Sequence, residues 1–127
     1  MRRRTLYLIV AAIAAAAMAP SSAQATKSKV VIGYHSGGPG GSWVGEVKAS
    51  KLSCQNGRKV TIYRKENGKD TKVGTEKTFS GKGDSEGVFV VPDSSPTEGK
   101  YYAKVKEKGN CDADKSKDYD YPGDQPG

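Results

Sequence analysis

The sequence is poor in the residues on which metal sites and most catalytic centres depend. Its 127 residues include one histidine and two cysteines. A structural zinc site needs four such ligands, and the chain offers one histidine in total, His35, beside Cys54 and Cys111. His35 alone is interpreted as a solvent-facing imidazole. We therefore expect no metal ion and no cofactor.

One short motif resembles a catalytic one. Residues 83–87, Gly-Asp-Ser-Glu-Gly, fit the G-x-S-x-G pattern of hydrolase nucleophiles. That pattern functions between a strand and a helix of a large α/β fold, whereas Ser85 precedes the strand-like run at residues 88–91. The one possible base, His35, lies in a glycine-rich stretch where hydrogen-bond geometry is hard to maintain. We interpret the match as chance and predict no catalytic residues and no enzymatic activity.

Long apolar runs are confined to the amino terminus. Three arginines at residues 2–4 precede an apolar stretch over residues 6–19, and Ala23-Gln24-Ala25 follows with small residues. This layout predicts a secretory signal peptide over residues 1–25. The mature protein is expected to be secreted, or periplasmic if the source has an outer membrane, with no stable membrane insertion.

The excess of positive charge is partly a property of that signal. The chain carries a formal net charge of +7, and loss of the three arginines at residues 2–4 leaves +4. The remaining chain is modestly basic, so the whole-chain charge overstates the case for an anionic partner.

The two cysteines have a simple explanation in an exported chain. Disulfides form and persist outside the cytoplasm, so a bridge from Cys54 to Cys111 is predicted, with metal ligation as the weaker alternative. Closing a loop of this length stabilises the fold by roughly 4 kcal/mol.

Helical periodicity is also absent after the signal, and short strand-like runs alternate with turns. The predicted strands cover residues 43–48, 59–65, 71–79, 88–91 and 101–108, with a possible earlier strand at residues 29–34. Asn67-Gly68 predicts a hairpin between the second and third of these runs. Gly45 indicates a bulge or a close approach of backbone, beneath Trp43 or another aromatic ring. The pattern predicts an all-β sandwich or barrel.

The predicted organisation has four parts. Residues 1–25 form the signal peptide, residues 26–42 a segment with a possible strand and a Gly-rich linker, residues 43–111 the sandwich, and residues 112–127 a flexible acidic tail. The tail aspartates Asp112, Asp114, Asp118, Asp120 and Asp124 offer carboxylates for calcium, but they lack EF-hand spacing and are interpreted as solvated.

The distribution of charge is the main functional signal. Residues 46–82 hold ten basic and four acidic residues, and the strand at residues 101–108 alternates apolar and lysine positions. A shared basic face with Tyr63 alongside is predicted from Lys48, Arg64, Tyr102, Lys104, Lys106 and Lys108. Such a face suits anionic polymers, although lysines also keep sheet edges from pairing. The excess of lysine over arginine argues against specific phosphate recognition, so a nucleic-acid partner is not expected.

Several short motifs resemble the transthyretin-like (prealbumin-like) sandwich modules related to carboxypeptidase regulatory domains. They are Gly45-Glu46-Val47, Arg58 to Tyr63, Val73-Gly74-Thr75, Gly87-Val88-Phe89 and Gly99 to Val105. The chain is also similar to small uncharacterised secreted actinobacterial proteins. The resemblance implies a single Ig-like/transthyretin-like Greek-key β-sandwich of about seven short antiparallel strands, without catalytic residues.

Two functions are therefore expected. The first is a secreted non-catalytic module with a structural or protein-interaction role at the cell exterior, using loops or a strand edge. The alternative is a binder of anionic envelope polymers or extracellular nucleic acid through a Lys-rich face. The partner is an extracellular protein or an envelope polymer that the sequence does not identify.

Overall fold

The computed structural model describes residues 25–37, 40–80 and 86–123, and this part of the chain is all-β. The predicted signal peptide, apart from Ala25, lies outside the described residues, as does Ser85. The described residues form eight strands: β1 (Ser28–Gly37), β2 (Gly40–Ala49), β3 (Lys59–Arg64), β4 (Thr71–Lys77), β5 (Val88–Pro92), β6 (Gly99–Val105), β7 (Asp114–Lys115) and β8 (Tyr119–Tyr121). A short 3-10 turn at Leu52–Cys54 follows β2.

The strands form two antiparallel sheets. The first sheet has the order β1-β2-β5, and the second has β4-β3-β6-β7, with β8 also paired to β6. Buried residues from both sheets meet in one cluster that includes Trp43, Val47 and Phe89 from the first sheet and Ile62 and Ala103 from the second. The predictions of an all-β sandwich and of about seven antiparallel strands are thus confirmed, with one more strand than expected.

The expected Gly-rich linker is instead the tip of a hairpin. β1 and β2 pair over their full length, from Ser28 opposite Ala49 to Gly37 opposite Gly40. The linker interpretation is wrong for residues 35–37 and 40–42. Glycine in a strand also allows a neighbouring side chain to approach the backbone closely, so a glycine-rich stretch need not be a linker. A Cβ on Gly41 would lie 1.8 Å from the hydroxyl oxygen of Tyr34.

Gly45 makes the predicted close approach within β2. A Cβ there would lie 2.0 Å from the carbonyl oxygen of Val31 and 2.5 Å from Cζ of Phe89. The ring above this glycine is therefore Phe89, which is fully buried.

The acidic tail is part of the fold as far as residue 123. β7 pairs with β6 through Lys115 and Lys104, and β8 pairs with β6 through Tyr119 and Tyr101. The ring of Tyr119 also lies 5.6 Å from that of Trp43. The prediction of a flexible tail is wrong for residues 112–123, because aromatic burial and backbone pairing outweigh the polar composition. Residues 124–127 lie outside the described residues.

The hairpin between β3 and β4 is confirmed, but its loop is longer than a two-residue turn. Residues 65–70 connect the strands, and Gly68 has a φ of +91°. The Glu66 backbone N–H donates to a carboxylate oxygen of Asp70 at 3.2 Å, which closes the loop.

The predicted disulfide is present between Cys54 and Cys111, with Cα atoms 5.4 Å apart. Beside it lies Arg58, which is fully buried. Its Nη1 donates to the carbonyl oxygen of Cys54 at 2.6 Å and to the Ser28 hydroxyl at 2.9 Å. Its Nη2 donates to the carbonyl oxygens of Lys106 and Asp112 at 2.9 and 2.8 Å. Burial lowers the pKa of Arg58 from its usual value, and the Asp112 carboxylate opposes this.

Candidate functional site

The outer surface of the second sheet carries six lysines that face away from the core. Val60 and Ile62 are fully buried, so the alternating positions of β3 point outward. Pairing with β4, β6 and β7 extends this surface across four strands. We call it the lysine face; it comprises Lys59, Lys72, Lys77, Lys104, Lys106 and Lys115 with Thr61, Tyr63, Thr75 and Tyr102.

Lysines stand directly beside one another on this face. Lys59 is paired with Lys77 of β4, and on its other side the backbone N–H of Lys106 donates to the Lys59 carbonyl oxygen at 3.0 Å. Lys104 is likewise paired with Lys115. Like charges directly opposite each other across strands are destabilising. The arrangement therefore works against the fold unless an anion lies over it.

The structure provides little internal neutralisation for these charges. In the part of the chain that the structure describes, the ion pairs are Arg64 with Glu66, Lys65 with Asp118 and Lys100 with Asp120, at 2.7 to 2.8 Å. None of these involves a lysine of the lysine face. Glu107 lines the groove on this face and the Asp70 carboxylate interacts with Lys115, so the six lysines are partly offset and the face keeps a net positive charge.

Two tyrosines lie beneath and between the lysines. The rings of Tyr63 and Tyr102 are stacked with centroids 5.4 Å apart and an interplanar angle of 21°. The ammonium of Lys115 lies 4.4 Å from the centroid of the Tyr102 ring, and that of Lys104 lies 5.9 Å from the Tyr63 ring. Such cation–π contacts are favourable and help to position lysine side chains.

Tyr102 is almost entirely covered. Only 6% of its surface is exposed, and its hydroxyl donates to a carboxylate oxygen of Asp70 at 2.5 Å. Burial, with a further contribution from the Asp70 hydrogen bond, raises the pKa of Tyr102 to about 12. The same hydrogen bond is the main reason that the pKa of Asp70 lies below its usual value. Tyr102 supports the lysine face from below rather than contacting a ligand.

A groove runs along the lysine face. It has a volume of about 380 Å³ and is lined by the lysines at positions 59, 72, 104 and 106, with Thr61, Tyr63, Val105, Glu107 and Ala113. The hydroxyls of Thr61 and Thr75 lie 3.0 Å apart beside it. The groove therefore combines ammonium groups with hydroxyls.

The sequence-predicted basic face is assembled only in part. Tyr102, Lys104 and Lys106 share the lysine face, as the alternation along β6 indicates. Lys48 does not, because β2 belongs to the other sheet, where Lys48 is paired with Lys29.

Arg64 and Lys108 also lie elsewhere. Arg64 follows Tyr63 and so points to the opposite side of β3, where it is bonded to Glu66. Lys108 lies beyond the end of β6, and its ammonium donates to the carbonyl oxygen of Asn56 at 3.1 Å near the disulfide.

Sequence reasoning missed four of the six lysines of the lysine face. Lys59 precedes Thr61 and Tyr63 on the same alternating positions, so its orientation was available from β3 itself. Lys72 and Lys77 depend on the register of β4, which shifts at a bulge beside Ile62 and Tyr63. Lys115 was assigned to a flexible tail, and only the pairing of β7 brings it to the face.

The other polar candidates are dispersed. Asp114 accepts from the Val30 N–H at 2.9 Å, whereas Asp118 and Asp120 are in separate ion pairs. Within residues 25–37, 40–80 and 86–123, no three His, Cys, Asp or Glu side chains form a group suited to a metal ion. His35 is exposed near the end of β1.

Comparisons with known proteins identify no relative. No family model, no curated protein and no solved structure matches the chain. Over the described residues, no helix is long and apolar enough to cross a membrane.

Proposed function

We propose that this protein is an exported, non-catalytic β-sandwich module that binds an anionic polymer at the cell exterior through the lysine face. The observation that carries the proposal is the row Lys77-Lys59-Lys106, three lysines side by side on adjacent strands. A bound polyanion attracts all three ammonium groups, which offsets their mutual repulsion, and its condensed counterions are released. The disulfide supports an oxidising location.

The transthyretin-like relationship belongs to the same proposal. Such modules are implied to serve as structural or interaction domains, and the two-sheet architecture is compatible with that role. The polymer is held by the outer face of one sheet, while the other sheet completes the core.

The proposal is tested by measuring binding of the disulfide-intact protein to polyphosphate and polygalacturonate, with neutral dextran as the negative control. Titrations by calorimetry or fluorescence anisotropy are performed at several salt concentrations, including about 0.15 M. We expect saturable binding to both polyanions whose logarithm of affinity falls linearly with the logarithm of salt concentration.

A matched pair of variants locates the site. Lys59→Thr with Lys106→Thr removes two charges from the lysine face, and Lys48→Thr with Lys108→Thr removes the same charge elsewhere. At roughly 1 kcal/mol for each lysine near an anionic surface, the first variant weakens binding by about thirty-fold and the second by much less. Equal losses in the two variants, or no binding by the parent protein, would refute the proposal.

A second candidate function is protein interaction at the edge of the first sheet. A groove of about 550 Å³ lies between β1 and residues 114–119, with Val31, Ile32 and Tyr119 among its lining residues. Such a strand edge beside apolar side chains suits an extended segment of a partner. A photo-crosslinker at residue 32 tests this when the protein is compared with one carrying it at exposed residue 69. An extracellular partner that crosslinks from both positions, or from neither, argues against this site.

A further inference from the structure

The lysine face leaves open which kind of polyanion it accepts, and its aromatic residues decide between nucleic acids and acidic glycans. Proteins that hold single-stranded nucleic acid usually stack bases on exposed aromatic rings. In the lysine face the aromatic residues are Tyr63 and Tyr102, and the exposed Phe79 lies two residues beyond the end of β4.

Tyr102 is covered, and the half-buried Tyr63 ring already contacts other side chains. Tyr102 has Tyr63 beside it and the ammonium of Lys115 at 4.4 Å, and its surface is 6% exposed. Tyr63 has one side occupied by Tyr102 and carries the ammonium of Lys104 at 5.9 Å. The rings are already engaged by each other and by lysines, so a base would have to displace these contacts.

Reading of base edges is equally unsupported. Bidentate recognition of guanine or of a phosphate uses the planar fork of arginine. Among the described residues the arginines are Arg58, which is buried beside the disulfide, and Arg64, which is bonded to Glu66. The lysine face therefore offers point charges but no arginine that could recognise a base or a phosphate through two hydrogen bonds.

The remaining chemistry of the groove suits a sugar-like backbone. Thr61 and Thr75 bond to each other, and each hydroxyl retains capacity to donate or accept. The Tyr63 side chain also lines the groove, and its hydroxyl has no hydrogen-bond partner within the described residues. Hydroxyls interspersed with ammonium groups match a ligand that carries hydroxyls interspersed with anions.

We infer that the ligand of the lysine face is an acidic glycan-type polymer, in which carboxylates or phosphates are carried on a hydroxyl-rich, non-aromatic backbone, and that it is not a nucleic acid. This inference rests on the proposed function, since it assumes that the lysine face binds a polyanion. The lysine ammonium groups bind the anionic groups of the polymer, and the threonine and tyrosine hydroxyls form hydrogen bonds with the hydroxyls of the polymer backbone.

The test compares four probes at about 0.15 M salt. Polygalacturonate and poly(glycerol phosphate) represent carboxylate and phosphate backbones, and oligo(dT) and a DNA duplex of matched total charge represent nucleic acids. We expect both non-aromatic polymers to bind at least about ten-fold more tightly than either DNA. The polymer that binds more tightly, polygalacturonate or poly(glycerol phosphate), shows whether the lysine face prefers carboxylates or phosphates.

Two variants distinguish backbone recognition from stacking. Tyr63→Leu preserves apolar cover for Tyr102 but removes a ring and a hydroxyl, and Phe79→Ser removes an aromatic side chain that is 52% exposed at the end of β4. Loss of a stacked base weakens binding by about five-fold or more. We expect oligo(dT) binding to be unchanged in both variants, whereas Thr61→Val weakens polygalacturonate binding.

The outcomes separate the two proposals. Nucleic acid binding that equals or exceeds glycan binding, and that is lost with Lys59→Thr, overturns the glycan inference while preserving polyanion binding. Oligo(dT) affinity that falls with Tyr63→Leu or Phe79→Ser overturns it as well. Failure of all four probes to bind overturns the proposed function itself. Thermal unfolding of each variant confirms that any loss occurs in folded protein.

Discussion

The backbone N–H of Lys106 donates to the carbonyl oxygen of Lys59 at 3.0 Å, so two lysine side chains stand side by side on one sheet face. Lys77 continues the row on the other side of Lys59. Cross-strand pairs of opposite charge are the stabilising arrangement, and this face has the reverse. The repulsion between these lysines lowers the stability of the fold, and the same lysines form a surface that an anion can occupy.

Replacing Lys59 with threonine is expected to stabilise the protein while weakening polyanion binding. Threonine favours strands, and the change removes two unfavourable neighbours, so the free energy of unfolding rises by about 0.5 kcal/mol at low salt. Urea denaturation at low and high salt measures the effect, which shrinks as salt screens the charges. Lys69→Thr, in the exposed loop between β3 and β4, is the control; an equal gain there would show that net charge alone is responsible.

Gly45→Ala is expected to destabilise the fold strongly. The added Cβ would meet the Val31 carbonyl oxygen at 2.0 Å, and backbone cannot move aside cheaply. Overpacking of this kind costs about 2 kcal/mol or more. Gly33→Ala is the matched control, because a Cβ there has no atom within 4 Å and alanine is favoured over glycine in a strand. Gly45→Ala should therefore lower the melting temperature, whereas Gly33→Ala should leave it unchanged or raise it. Similar melting temperatures for the two variants would contradict the packing around Gly45.

Arg58→Met is expected to cost about 3 kcal/mol. The guanidinium donates to three carbonyl oxygens and one hydroxyl from four separate segments, and its removal leaves buried acceptors without donors. Arg64→Met removes a partly exposed ion pair and should cost less than about 1 kcal/mol. Chemical denaturation of both variants measures the difference. A cost for Arg58→Met no greater than that for Arg64→Met would show that the buried contacts contribute little.

The disulfide should be complete in protein recovered from an oxidising host. Intact mass measured with and without thiol alkylation is expected to show no free cysteine. Replacing both Cys54 and Cys111 with serine should lower the free energy of unfolding by roughly 4 kcal/mol. Reductant should destabilise the parent protein but leave this double variant unchanged; two reactive thiols in the native parent protein would be inconsistent with the bridge.

The hydroxyl of Tyr102 predicts a loss of stability at alkaline pH. Its pKa is raised from 10.0 to about 12 in the folded protein, so the unfolded chain loses its proton first as the pH rises. The contribution is fully present below pH 10 and is lost as the pH approaches 12. Tyr102→Phe removes this dependence, so the stability of the variant relative to the parent should rise between pH 8 and pH 11 in guanidinium unfolding. Parallel curves for the two proteins would contradict the pKa shift.

Much of the fold was predictable because its strands are encoded locally. Alternation in β3 and β6 gave the inward and outward residues, and Asn67-Gly68 indicated the hairpin that joins β3 to β4. The hairpin of β1 and β2 and the docking of β7 and β8 were not predictable in this way. Glycine and aspartate composition indicates flexibility, whereas the packing of Tyr34 and Tyr119 against Trp43 depends on contacts distant in sequence.

The candidate site shows the same division. Lys104 and Lys106 were assigned to one face from their own strand, since the two-residue period of a strand is a local property. Lys48 was wrongly joined to them and Lys115 was left out, because nothing local tells which sheet a strand enters.

The sequence by itself therefore determined the class of fold, the pairing of Cys54 with Cys111 and the outward direction of the β6 lysines. Each follows from short-range alternation or from the presence of only two cysteines. Only the tertiary structure decided that Lys77, Lys59 and Lys106 stand in one row and that the Tyr102 ring is covered by Tyr63 and Lys115. Strand register and sheet membership are set by side-chain packing across the whole core, and those interactions join residues that are far apart in the chain.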